Sequence, residues 1–141
     1  MIGDIEQAAK DLQQLLSSIV GAGVGVYERQ APRDSEGVIL YDNMPYVVYS
    51  ADFRAPEDEA EEWAADLFLD VWALGSFAGC YRVMIPLDDA LNQQVYSMES
   101  GAFCADRNGL CYQRADRDPA DERIRRLSGQ YLVRFTPNVK E

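Results

Sequence analysis

The chain has 141 residues, 48% hydrophobic and 26% charged, with a formal net charge of −11. These values are those of a single globular domain with one core, and they exclude intrinsic disorder and fibrous folds. A strongly acidic surface repels phosphate, so specific nucleic-acid binding is not expected. No apolar run approaches the roughly 20 residues that span a bilayer, and the first residues lack the basic start and apolar stretch of a signal peptide, so a membrane location is not expected either.

The first predicted element is a one-sided helix that ends at Gly21. Asp4 and Gln7 have the spacing of a capping box, and apolar residues then recur every three or four positions. The glycine-rich stretch 21–25 is similar to a dinucleotide-binding loop, but it follows a helix and lacks the final glycine. It therefore predicts a helix stop that leads into a short strand through Tyr27.

Residues 28–43 form a long polar connection, and loops of this length are often functional, so we expect it to reach a neighbouring molecule. Two strands follow, at about Pro45–Phe53 and Ala65–Leu74, because β-branched and aromatic residues alternate there with small or charged ones. Between them lie five carboxylates in six residues, which are expected to face water because they cannot be buried unpaired. These residues are Glu57, Asp58, Glu59, Glu61 and Glu62.

The second of these strands has two different faces, because successive side chains point in opposite directions. Its aliphatic face, formed by Leu67, Leu69 and Val71, is expected to lie on the core. Its mixed face consists of Asp66, Phe68, Asp70 and Trp72. Aromatic residues between carboxylates are typical of a surface that a partner covers, which makes this face a candidate subunit interface. The alternative is that Phe68 and Trp72 pack inside the monomer, under the long loop or a helix.

The second half of the chain predicts another helix and further strands. The helix follows Gly75, and we expect a kink or a division into two shorter helices at Pro86, because proline lacks the amide proton. Strands are expected near Val95–Asp106 and Leu110–Arg114. A closing strand alternates apolar and mostly polar residues over 129–135.

The three cysteines, Cys80, Cys104 and Cys111, are expected to be free thiols, because their number is odd and no export signal is present. If Asn108-Gly109 forms a two-residue turn, Cys104 faces Gln113 across a hairpin. The sulfur atoms of Cys104 and Cys111 are then not opposed, which argues against a bridge between them.

Together these elements predict an α+β fold in one domain over residues 1–141. A mostly antiparallel or mixed sheet of about five to six strands is expected to pack against two helices. The excess negative charge lies in residues 1–70, which have four basic and fifteen acidic residues, whereas residues 71–141 have nine of each. Histidine is absent, and no spacing fits zinc, calcium or an activated cysteine, so we predict no catalytic, metal or cofactor site and no enzymatic activity.

The succession of elements resembles the tail-terminator or tail-completion proteins of long-tailed bacteriophages, also called head-to-tail joining proteins. The residues that carry the resemblance are Leu12 to Ile19, Pro45 to Tyr49, Leu69 to Trp72, Leu87 to Leu91 and Tyr131 to Phe135. The resemblance covers almost the whole chain. It departs from the family pattern in the longer regions 28–43 and 95–119 and in Pro86, which interrupts the second helix.

The resemblance implies a virion structural protein that acts as one subunit of a ring, a hexamer in similar proteins, without a cofactor. Such a ring caps the tail tube and meets the head connector or head-closure protein in the neck of the virion, after assembly in the bacterial cytoplasm. A negatively charged lumen would let DNA pass without specific binding, because like charges repel. The candidates to line or border that lumen are Glu57, Asp58, Glu59, Glu61 and Glu62.

Two alternatives stay open from the sequence. One is a different assembly protein, such as a phage head-closure protein or a component of a contractile injection system. The other is a small-ligand-binding α+β domain with a pocket between helices and sheet, because such pockets are mostly apolar and need no catalytic motif.

Overall fold

The computed structural model describes residues 2–54, 62–107, 113–115 and 123–138. Over these residues the elements in chain order are α1 (Ile2–Val20), β1 (Val26–Glu28), β2 (Tyr46–Arg54), β3 (Trp63–Leu74), α2 (Phe77–Leu91), β4 (Gln94–Ser97), β5 (Gly101–Arg107), β6 (Gln113–Ala115) and β7 (Ile124–Pro137). The strands form one mixed sheet in the order β1-β2-β3-β7-β5-β4, with β6 also paired to β7. This confirms the predicted α+β fold of two helices and a mixed sheet: six strands lie in the order given above, and the short β6 pairs with β7 off this path.

Helix α1 begins at Ile2, so Asp4 lies inside the helix and is not the predicted capping residue. The buried side chains of this helix are Ala8, Asp11, Leu12, Leu15 and Leu16. Their spacing of three and four residues places them on one face, as the sequence predicted. The helix ends at Gly21, which has a φ of 79° and donates a hydrogen bond from its N–H to the carbonyl of Ser17.

Helix α2 runs without interruption from Phe77 to Leu91, with Pro86 inside it, so the alternative of two shorter helices is wrong. Pro86 is exposed, and water can therefore reach the carbonyl of Arg82, which has lost its helical partner. The buried residues of α2 are Cys80, Val83, Met84, Leu87, Asp88 and Leu91. Exposure of the proline explains how the helix continues, because no unsatisfied carbonyl has to be buried there.

Both helices pack on one face of the sheet, which we call the helix face. Strand β3 is central, antiparallel to β2 on one side and to β7 on the other. Its side chains Leu67, Leu69 and Val71 are fully buried on the helix face, as predicted. The closing strand β7 adds Tyr131, Val133 and Phe135 to the same core. The main core therefore lies between the helices and the middle of the sheet.

The region 95–106, expected to be extended throughout, is a hairpin formed by β4 and β5. The chain turns between them and enters β5 at Gly101, where a Cβ atom would lie 2.2 Å from the carbonyl oxygen of Thr136 and 2.8 Å from the ring of Phe135. Only glycine allows β5 to approach β7 this closely.

Strand β6 does not pair with β5, so the predicted hairpin is wrong. Both strands lie antiparallel to β7, one after the other: Arg107 is opposite Tyr131, and Gln113 is opposite Ser128. Cys104 consequently has Val95 and Arg134, not Gln113, as its neighbours across the sheet. Pairing with the long strand β7 prevailed over the local turn signal. Cys80 and Cys104 are free thiols, while Asn108-Gly109 and Cys111 lie outside the described residues.

Candidate assembly surface

The face of the sheet opposite the helices, the open face, has a covered end and an exposed end. At the covered end the loop 29–45 folds over the sheet and forms a second apolar cluster. The cluster consists of Ala31 and Ile39 from the loop with Tyr46, Val48, Trp72 and Ile124 from the sheet or its edge. Edge-to-face packing of Tyr27 on Tyr46, with 5.5 Å between ring centroids, extends the cluster to β1. The long polar loop therefore has a structural role at this end.

Two of the four predicted interface residues lie in or beside the covered end. The side chain of Trp72 is 9% exposed, and the guanidinium of Arg126 lies 5.1 Å from its ring centroid. Asp70 accepts a hydrogen bond from the hydroxyl of Ser128 and forms a 3.3 Å ion pair with Arg126. Trp72 therefore packs under the long loop, which confirms for this residue the alternative given by the sequence.

The other two residues, Asp66 and Phe68, lie at the exposed end. Phe68 is 41% exposed, and Leu132 of β7 is 38% exposed. The two are diagonal neighbours, because Phe68 is opposite Gln130 and Leu132 is opposite Asp66. We call this part of the open face the bare patch and define it as Arg54, Asp66, Phe68, Asp106, Gln130, Leu132 and Arg134. The patch is a sheet surface with the apolar side chains of Phe68 and Leu132 at its centre.

The charges of the open face are balanced in pairs. Each aspartate on the outward-facing positions of the described strands has an arginine partner: Asp52 with Arg29 at 3.4 Å, Asp66 with Arg54 at 3.1 Å, Asp70 with Arg126 at 3.3 Å and Asp106 with Arg134 at 2.8 Å. The carboxylate of Asp106 raises the pKa of Arg134. The outward-facing charges of the described strands are therefore balanced on the open face.

Of the five carboxylates of the acidic segment, only Glu62 belongs to the described residues. Glu62 is exposed and directly precedes β3, whereas Glu57, Asp58, Glu59 and Glu61 lie outside the described residues. The assignment of these five carboxylates to a ring lumen stays a prediction.

Buried polar groups serve to join helices to the sheet. Asp88 of α2 is 4% exposed, accepts a 2.5 Å hydrogen bond from the hydroxyl of Tyr131 and forms a 2.6 Å ion pair with Arg107. Asp11 of α1 is 2% exposed and accepts hydrogen bonds from the backbone N–H of Ser100 and the side chain of Gln7, both at 2.9 Å. These two carboxylates are fully engaged in structural contacts.

The described residues offer little for chemistry. Burial raises the pKa of the Cys80 thiol to about 11, and this thiol donates hydrogen bonds to the carbonyls of Val71 and Arg125. No group of three or more cysteine, aspartate or glutamate side chains that could hold a metal ion occurs within the described ranges. Neither α1 nor α2 has the length and the apolar character needed to cross a membrane.

The sequence interpretation missed Leu132, Arg134, Asp106 and Arg54 of the bare patch. A signal for Leu132 was present, because it is an aliphatic residue among the outward positions of a strand whose inward positions are already apolar. The ion pairs had no such signal, since they depend on which strands are neighbours in the sheet.

No family model matches the chain, and no curated protein matches it in sequence. Among solved structures, the chain is similar to a protein from the virion of a native gene transfer agent particle, with a TM-score of 0.57 and 19% sequence identity. The similarity covers 86% of this chain and 84% of that chain. At this level of identity the likeness shows a shared fold.

Proposed function

We propose that this chain is a structural subunit of a phage-type virion, a tail-terminator or tail-completion protein that forms a ring at the end of the tail tube and joins it to the head connector. The family resemblance of the sequence supports this proposal, as does the shared fold with a chain from the virion of a gene transfer agent particle. In this role the protein binds other proteins and catalyses no reaction.

The observation that carries the proposal is the bare patch. A monomer of this acidity could cover a sheet face with charged residues of one sign, yet here paired charges surround the exposed Phe68 and Leu132. Protein interfaces combine an apolar centre with a polar rim in the same way. Because the pairs are formed within the subunit, contact with a second protein does not bury unbalanced charge.

The distribution of charge supports the role of DNA as a passing cargo. The excess of carboxylates in the first half of the chain includes the segment from Glu57 to Glu62. If this segment borders the lumen, its charge repels the phosphate backbone, and DNA moves through the ring without adsorbing.

The proposal is tested by measuring the molar mass of the protein in solution. Size-exclusion chromatography with light scattering is run over a range of concentrations, for the chain alone and with the tail tube protein from the same virus. We expect a closed ring, at the latest when tube protein is present. A protein that stays monomeric at every concentration and ignores the tube protein contradicts the proposal.

A pair of variants tests the surface. Phe68→Ser removes the central apolar side chain of the bare patch, and Leu74→Ser is the matched control, because Leu74 is 46% exposed but lies at the end of β3, outside the patch. We expect Phe68→Ser to abolish assembly and Leu74→Ser to preserve it. Equal behaviour of the two variants argues against the bare patch as an interface.

A further inference from the structure

We propose that the tip of the long loop, residues 34–38, docks into the groove between α1 and α2 of the next copy of this chain. The inference rests on the proposed ring and names the contact that would close it. The proposed contact joins an apolar groove on the helix face of one copy to the tip of the long loop of the next copy. In each copy this loop lies over the covered end of the open face.

The groove is apolar with one cationic side chain on it. It has a volume of about 170 Å³ and is partly open to solvent. Its walls include Ile19 and Val20 at the end of α1, Val24 after that helix, and Val83 and Leu87 of α2. Arg82 also lines the groove, is exposed, and makes no ion pair with a described residue. Such a groove suits an apolar side chain that has a carboxylate beside it.

The tip has that composition and a fixed shape. Val38 is 48% exposed, and its backbone carbonyl accepts a 2.9 Å hydrogen bond from the N–H of Asp34. The carboxylate of Asp34 accepts hydrogen bonds from the N–H groups of Glu36 at 2.9 Å and Val38 at 3.0 Å. Because these bonds hold the turn in place before any contact, docking costs little conformational entropy.

The charges of tip and groove are complementary. Glu36 is exposed and forms no ion pair with the described residues, which leaves its carboxylate available to Arg82 of another copy. Arg33 also lies beside the tip, where its guanidinium donates a 2.9 Å hydrogen bond to the carbonyl of Gly37. With Asp34 and Glu36 against Arg33, the tip is acidic, opposite in sign to the groove.

The placement of the two surfaces fits a ring. A ring requires a contact between two different surfaces of the same subunit, so that each copy uses one surface on each neighbour. The loop is anchored on the open face through Ala31 and Ile39, whereas α1 and α2 form the groove on the helix face. Tip and groove thus belong to opposite faces of the sheet, which allows head-to-tail association.

The experiment is a charge reversal with rescue. Glu36→Arg, Arg82→Glu and the double variant are compared with the unmodified chain by light scattering, with tube protein present. We expect each single variant to raise the concentration needed for half-assembly at least about tenfold, because it places like charges together, and the double variant to restore it. Glu99→Arg, which reverses an exposed glutamate outside tip and groove, serves as the control and should assemble normally.

The outcomes separate the two proposals. If the unmodified chain assembles and both single variants assemble equally well, or if the double variant shows no rescue, the tip-in-groove contact is wrong and the ring proposal stands. If the unmodified chain never assembles, both are wrong. Val38→Asp, which places a charge on the apolar end of the tip, should prevent assembly even in the background of the rescued double variant Glu36→Arg with Arg82→Glu, and normal assembly of that combined variant also overturns the contact.

Discussion

Leu69 and Phe68 are consecutive residues of β3 that meet opposite surroundings. Leu69 is fully buried between the sheet and the helices, while Phe68 is 41% exposed on the bare patch. On the helix face, Leu69 belongs to a core of apolar side chains that come from both helices and from the sheet. On the bare patch, the direct neighbours of Phe68 across the sheet are Ser50 and Gln130, its diagonal neighbour is Leu132, and no described segment covers them.

This difference separates stability from recognition. Burial of apolar area and close packing on the helix face supply most of the free energy of folding. The bare patch contributes little, because exposed ion pairs are worth at most about 1 kcal/mol each. One strand can therefore hold the fold with Leu67, Leu69 and Val71 and leave Asp66 and Phe68 available for a partner.

The largest expected effect is that of Leu69→Ala. Removing a fully buried leucine side chain leaves a cavity and should lower the free energy of unfolding by about 2–5 kcal/mol. Phe68→Ala, next to it in the chain, should lower that free energy by only about 1–2 kcal/mol, because Phe68 is 41% exposed and its removal leaves no closed cavity. Urea denaturation of the two monomeric variants measures both values. Similar losses of unfolding free energy in the two variants would mean that the exposed face of β3 contributes as much to stability as its buried face.

The second effect concerns the close approach of β5 to β7. Gly101→Ala would place a methyl group against the carbonyl of Thr136 and the ring of Phe135, and we expect a loss of about 1–3 kcal/mol from overpacking at the edge of the core. Gly21→Ala is the matched control, since Gly21 also has a positive φ but open space around it. A loss at Gly101 no larger than that at Gly21 would show that backbone strain, not the clash, dominates.

The sequence predicted the helix face better than the open face, for a physical reason. Alternation in β3 and β7 follows from burial on one side, so the inward positions of Leu67, Leu69 and Val71 could be read from the chain. The open face has no such constraint. Whether Trp72 or Phe68 was covered depended on where the loop 29–45 lies, and a loop's path has no periodic signal.

Local signals failed where a distant partner was stronger. Asn108-Gly109 predicted a hairpin, but β5 and β6 both pair with the long strand β7. Pro86 predicted a kink or a division of α2, and the division is wrong: the helix continues because the proline is on its exposed side. Tertiary context overrides local propensity at such positions.

The third prediction concerns the hydrogen bonds of Asp11, which connect α1 to the turn between β4 and β5, and tests them through the pH dependence of stability. Burial by itself would raise the pKa of Asp11, but the hydrogen bonds from Ser100 and Gln7 outweigh it and hold this pKa below the ordinary value of 3.8. A lowered folded-state pKa means that the contribution to stability is complete above pH 4 and is lost as the pH falls through the folded-state pKa. We expect about 1 kcal/mol at neutral pH.

Urea denaturation between pH 2 and pH 7 measures this contribution. Asp11→Asn should lose stability at pH 7 and show a weaker decline below pH 4 than the unmodified chain. Asp66→Asn, a change at a half-exposed aspartate of the bare patch, should lower the stability at pH 7 by less than about 0.5 kcal/mol. The same acid profile for the unmodified chain and Asp11→Asn would rule out the anchoring role.

The smallest effect on stability, and the sharpest test of the division between the faces, is Arg134→Gln. The pair of Arg134 with Asp106 is short, at 2.8 Å, yet both side chains are well exposed, so its loss should change the free energy of unfolding by less than about 0.5 kcal/mol. In an assembled ring the consequence differs, because Asp106 would then be buried against a partner without its counter-charge. We therefore expect unchanged urea denaturation of the monomer together with weakened assembly, measured by light scattering at a fixed salt concentration.

The control is Arg29→Gln, which breaks the exposed pair with Asp52 outside the bare patch and should weaken neither the stability of the monomer nor the assembly. A result in which both arginine variants assemble normally would show that charge balance on the bare patch serves the monomer's surface and not its contact with another protein.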